Sequence, residues 1–96
     1  MRARVAVSGS VIDKDDNSPV MQATVQLLSL PDSAMVVGNV TDTNGHFSLS
    51  ARPGKYVLKV SFVGYLSYLK ELQLAAAKPT VNVGKIALSS DAIMLS

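Results

Sequence analysis

The feature that most narrows the fold of this sequence is a two-residue alternation of apolar and polar side chains, broken by turn formers roughly every 8 to 15 residues. Residues 3 to 13 set the pattern, with Val5, Val7, Gly9 and Val11 on one face and mostly small or polar residues on the other. Side chains in a strand point alternately to opposite faces, so this spacing predicts a half-buried strand. Lys14 to Pro19 is a polar cluster whose Asp, Asn, Ser and Pro residues favour a turn. Alternation resumes at Ala23, Val25 and Leu27 and runs through Leu30, where Pro31-Asp32-Ser33 breaks it. A third strand is expected over Met35 to Thr41, with Val36 or Val37 and Val40 making its apolar contacts.

Asp42-Thr43-Asn44-Gly45 is the strongest turn signal, because Asn-Gly accepts positive φ at low cost, as a tight hairpin requires. Phe47 and Leu49 then alternate with His46, Ser48 and Ser50. After a turn at Arg52-Pro53-Gly54-Lys55, Tyr56, Leu58, Val60 and Phe62 share a face until Gly64 interrupts the strand. Residues 65 to 78 fit two periods. Tyr65, Leu69, Leu72 and Ala76 lie on one helix face, while Leu66, Tyr68, Leu72 and Leu74 come close to a strand alternation. The Ala75-Ala76-Ala77 run pulls toward helix, and agreement with six neighbouring strands pulls toward strand with a loop at Ala75 to Pro79. Val81, Val83, Ile86 and Leu88 form the last strand, and the change of parity at Gly84-Lys85 predicts a bulge.

About seven short strands separated by turns predict an all-β, seven-stranded antiparallel two-sheet sandwich. Its inward set is expected to be Val5, Val7, Val11, Val25, Leu27, Val40, Phe47, Leu49, Tyr56, Leu58, Val60, Phe62 and Ile86. A chain of 96 residues has room for one domain, with a core at about 5–88.

Composition limits the chemistry. The nine Lys and Arg residues are scattered, with Arg2 and Arg4 the one close pair, so there is no basic stripe for nucleic acid. No apolar run approaches the ~18 residues of a membrane span, so the chain itself is not expected to insert in a membrane. The start, Met1 to Arg4, leads into alternation and not into an apolar stretch, so it does not read as a signal peptide. There is no cysteine and one histidine, His46, which alternation points outward, so the usual zinc ligand sets are not met. Asp13, Asp15 and Asn17 have the spacing that opens a calcium loop, but its glycine and closing glutamate are missing, and solvated turn residues are the simpler reading. Asp42 and Asn44 read the same way. The serines and threonines stand in no recognisable motif with a histidine or lysine, and Glu71 is alone in its stretch, which denies a paired-acid site. No catalytic residue, cofactor site or metal site is expected. Tyr65 and Tyr68, beside Gly64, are the most binding-like residues, since exposed aromatics suit interfaces and sugar platforms. The alternative is that one packs on the core edge and the other shields a sheet face.

Five fragments in order form a distinctive set: Val7-Ser8-Gly9-Ser10-Val11, Pro19-Val20-Met21-Gln22-Ala23-Thr24-Val25-Gln26-Leu27, Thr41-Asp42-Thr43-Asn44-Gly45-His46-Phe47, Pro53-Gly54-Lys55-Tyr56-Val57-Leu58 and Val63-Gly64-Tyr65. Together they resemble the carboxypeptidase-regulatory-like domain, a prealbumin-like sandwich, over about Val5 to Leu88. The sequence departs from the common pattern at Met21-Gln22 and at His46, both expected on the surface. The resemblance implies a non-catalytic accessory module. The Gly64-Tyr65 variety implies the periplasmic N-terminal domain of a TonB-dependent outer-membrane receptor of the Bacteroidetes type, within a longer exported cell-envelope protein. Residues 89–96 would then be a linker to the next domain, and both ends of the chain would be trimmed. Expected partners are other domains of the parent or a periplasmic protein. A carbohydrate-binding module, with Tyr65 and Tyr68 on a glycan, and a structural spacer in a surface protein are the alternatives.

Overall fold

In the computed structural model, residues 4–30, 32 and 34–90 are described. The ends, with Arg2 and most of the expected linker, and Pro31 and Ser33 of the expected break, lie outside them. Seven strands form among the described residues: β1 (Val5–Asp13), β2 (Thr24–Ser29), β3 (Met35–Val40), β4 (His46–Ala51), β5 (Gly54–Ser61), β6 (Tyr68–Leu74) and β7 (Thr80–Leu88). They make two sheets, ordered β4-β1-β7 and β3-β2-β5-β6. No described helix is long and apolar enough to cross a membrane.

Period-2 patterning decides what is buried. Val5, Val7 and Val11 of β1, Phe47, Leu49 and Ala51 of β4, and Ile86 and Leu88 of β7 face Val25, Leu27, Tyr56, Leu58, Val60 and Leu74 of the second sheet. Most of the expected inward set is thus in the core. The ambiguous stretch is strand: β6 pairs antiparallel with β5 from Gly54↔Leu74 to Val60↔Tyr68, and Ala75 to Pro79 is a loop. Three alanines cannot outweigh seven residues of ladder and the burial of Leu74.

Four expectations need correction. Val40 is 51% exposed, because its register partner is Thr24, on the outer face of the second sheet. An extra residue at Val36 shifts the β2–β3 register, and the inward places of β3 fall to Val37, opposite Leu27, and Asn39, opposite Val25. Asn39 meets its polar needs at the sheet edge: its Nδ2 donates to the Ser48 carbonyl of β4 at 3.3 Å and its Oδ1 accepts the Val40 N–H at 2.9 Å. Phe62 is 37% exposed, because β5 ends at Ser61 and the chain turns, with the Tyr65 N–H donating to the Phe62 carbonyl at 3.1 Å. The turn at Asp42 to Gly45 does not close a hairpin, since β3 and β4 belong to different sheets; it is a corner between layers. Lastly, one strand pair is not antiparallel, because β1 runs parallel to β7.

The expected bulge is present in that parallel pair. Ser8 opposes Asn82 and Ser10 opposes Lys85, so Val83 and Gly84 together face Gly9. A Cβ on Gly9 would lie 2.6 Å from Val83 Cγ2 and 2.9 Å from the Gly84 carbonyl, which is why that position carries no side chain.

Candidate interaction surface

Strand directions bring the ends of β1, β3, β5 and β7 and the start of β4 together at one end of the sandwich. Two ties between the layers form there. The first is buried. Thr41, 2% exposed, donates from Oγ1 to the Val20 carbonyl at 2.6 Å and accepts the Ala23 N–H at 2.9 Å. Its backbone also binds the 14–23 connection, with Thr41 N–H donating to Ala23 O at 3.0 Å and Gln22 N–H to Thr41 O at 2.9 Å. Next to it, the Asp42 carboxylate accepts the backbone N–H groups of His46 and Asn44, each at 2.9 Å. The His46 N–H, followed by that of Asn44, holds the Asp42 carboxyl below the ordinary carboxylate range.

The second tie is at the surface and uses one of the two tyrosines singled out in the sequence. The Tyr65 hydroxyl donates to Asp13 Oδ2 at 2.5 Å, joining the β5–β6 connection to the end of β1. Asp13 Oδ1 meanwhile accepts the Asp15 N–H at 2.7 Å, so the carboxylate of the would-be calcium spacing organises its own turn. The Tyr65 hydrogen bond, then the Asp15 N–H, lowers the Asp13 pKa. The same bond, then burial and the neighbouring acids, raises that of Tyr65. Both shifts describe a charged Asp13 accepting from a neutral phenol. Tyr65 and Tyr68 are half-buried and pack against the core cluster, and the Phe62 and Tyr65 rings lie 5.9 Å apart at 43°. Tyr68 opens β6 opposite Val60, and the Tyr65 hydroxyl is engaged by Asp13.

The exposed apolar surface here belongs to their neighbours. Phe62, Val63, Leu66 and Leu69 are all exposed, Val63 to 89%. The segment that carries most of them lies against the last described residues: the Leu66 N–H donates to the Ser89 carbonyl at 2.9 Å, and Tyr65 forms an antiparallel bridge with Ser90. Sequence reasoning passed over this group because Phe62 continues the inward parity of β5. The signal was Gly64, with φ +89°, which marks the chain turning out directly after Val63. Thr41 was also missed, since a single polar residue at a strand end does not reveal burial. Among the described residues, no three His, Asp or Glu side chains converge on a metal-sized space.

The two packed sheets, tied at one end, define a prealbumin-type sandwich. The chain belongs to the CarboxypepD_reg-like domain family, whose model matches residues 7–96. No curated protein matches the chain. Among solved structures, it is similar to BcpA, the major pilin subunit of Bacillus cereus, with 16% identity and a TM-score of 0.77, covering 93% of this chain and 31% of that one. The Bacillus anthracis TIE protein matches with 15% identity and a TM-score of 0.75, over 92% of this chain and 17% of that one. A 3-chlorocatechol 1,2-dioxygenase from Rhodococcus opacus matches with 15% identity and a TM-score of 0.69, over 94% of this chain and 61% of that one. At such identities the likeness concerns the fold. This chain spans less than a third of the pilin and of the anthracis protein.

Proposed function

We propose that this domain is a non-catalytic accessory module of a larger cell-envelope protein, working through protein–protein contacts. The finer reading is the periplasmic N-terminal domain of a TonB-dependent outer-membrane receptor. The observation that carries the proposal is the exposed apolar group Phe62, Val63 and Leu66, in the segment that lies against Ser89. Exposed apolar side chains grouped in this way favour a protein contact over solvent. The next part of the same polypeptide is the neighbour best placed to cover them. Family membership and the Val63-Gly64-Tyr65 signature support the envelope location.

The test is to read the parent reading frame on both sides of this segment. The receptor reading expects an export signal before it and a barrel-sized region of alternating strands after it. A parent without such a region would sink it. Tandem copies in the parent would instead favour a structural spacer, a second reading that fits the likeness to pilins, of which this chain covers a part. Glycan binding has less support, because the Tyr65 hydroxyl is already donated to Asp13. A glycan panel is expected to leave Tyr65 and Tyr68 resonances unmoved.

A further inference from the structure

The outer face of the β4-β1-β7 sheet carries a depression of about 430 Å³ whose lining includes Ser8, Ser10, His46, Asn82, Gly84 and Lys85. Register explains how these residues meet. Ser10 lies opposite His46 on one side and Lys85 on the other, and Ser8 lies opposite Asn82. Side chains directly opposite in neighbouring strands stand about 5 Å apart at Cβ, within reach of one small ligand.

The bulge is what aims Lys85 at this place. Asn82 faces outward beside Ser8, so plain alternation would put Gly84 outward and turn Lys85 toward the core. The extra residue restores Lys85 to the outer face beside Ser10 and leaves Gly84 between the two polar side chains. Gly84 has φ +76°, and a Cβ there would meet nothing within 4 Å, so the gap between Asn82 and Lys85 is open. Asn82 Oδ1 accepts the Gly84 N–H at 2.8 Å, which fixes the amide and leaves its NH₂ as a free donor.

The lining is therefore rich in donors: two serine hydroxyls, the Asn82 amide, the Lys85 ammonium and the His46 ring. No carboxylate lines it. Asp42, the acid beside His46, has Oδ1 engaged by two backbone N–H groups. The one aromatic in the lining, Phe47, is buried, so no ring is offered for a neutral sugar to stack on. Donors around a cation, with no carboxylate among them, suit a ligand that brings acceptors and negative charge.

We propose that this depression is an oxyanion site, taking a carboxylate or phosphate group, with Lys85 supplying charge and Ser8, Ser10 and Asn82 supplying hydrogen bonds. The site is separate from the apolar end and does not depend on the accessory-module reading.

The test is an amide-resolved NMR titration of the chain at constant ionic strength, with inorganic phosphate in one arm and a short oligogalacturonate in the other. Saturable shifts are expected at Ser10, Gly84 and Lys85 in at least one arm. Lys85→Gln is expected to weaken binding by about tenfold or more, and Ser10→Ala, which keeps the charge, by several-fold. Lys55→Gln, on the other sheet, is expected to leave it unchanged. Tighter binding of phosphate would assign a phosphate ligand, and tighter binding of the uronide an acidic glycan. Shifts that never saturate, that appear equally at Lys55 and Lys59, or that survive Lys85→Gln unchanged would overturn the proposal.

Discussion

The two ties at the crowded end of the sandwich hold similar parts together in opposite ways. Thr41 joins the β3–β4 corner to the 14–23 connection with a neutral hydroxyl shielded from water. Tyr65 joins the β5–β6 connection to the end of β1 through a charged acceptor in contact with water. The hydrogen bond to a carboxylate is the stronger of the two in isolation. Solvent reverses that order for stability. When the Tyr65 bond is lost, water can replace it, whereas the Val20 carbonyl and Ala23 N–H would be left without a partner inside the protein. Stabilisation at this end therefore follows burial more than charge.

That contrast can be broken or sharpened by five variants. Thr41→Val keeps the shape and removes the hydroxyl, and should cost about 2–4 kcal/mol in denaturant unfolding. Thr41→Ser should recover most of that loss; equal losses for Val and Ser would mean that the methyl group and not the hydroxyl matters. Gly45→Ala tests the neighbouring corner. Gly45 has φ +77°, and an added Cβ would sit 2.6 Å from the Val11 carbonyl, whose N–H the Gly45 carbonyl accepts at 2.7 Å. A loss of about 1–3 kcal/mol is expected, and a neutral result would show that the corner can shift.

Tyr65→Phe should cost less than about half of the Thr41→Val loss. Its pH dependence carries a signature. Asp13 has a lowered pKa, so its contribution is present above the ordinary carboxylate value of about 4 and is lost as pH falls through the lowered value. Tyr65 has a raised pKa, so its contribution is present below about 10 and is lost as pH rises through the raised value. The difference in melting temperature between wild type and Tyr65→Phe should stay level from about pH 5 to 9 and shrink at both extremes. A gap that persists in strong acid would mean that the phenol acts by packing alone. Val63→Ser, at the most exposed apolar position, should change stability by no more than about 0.5 kcal/mol. A larger loss would place Val63 in the fold's own packing and weaken the case for an interaction surface.

Most of the fold was legible because alternation reports burial directly, as in Val5-Val7-Val11 and Tyr56-Leu58-Val60. It failed where a strand broke its own rule. In β3 the extra residue at Val36 shifts the register, which puts Val40 outside and leaves Asn39 exposed at the sheet edge, reaching across to β4. At Phe62 the parity was correct, but the strand had already ended. Leu74 and Leu88 were left out of the inward set, and only pairing with a specific neighbour shows that they close the core. Of the candidate surface, Tyr65 and Tyr68 could be picked out by residue type. The exposed tip before them depends on where the chain turns, and the donor row around Ser10 depends on which strands become neighbours.

The parallel pairing of β1 with β7 has a mechanical meaning. The first and last strands lie side by side and point the same way, so Val5 and Leu88 are at opposite ends of the sandwich. A pull on those two points runs along both strands and slides one against the other. The hydrogen bonds from Ala6↔Thr80 to Asp13↔Leu88 then share the load at once and cannot be opened one at a time. Pulled between Val5 and Leu88, such a sandwich is expected to resist extension along the strand axis, as a single-molecule pulling measurement would read.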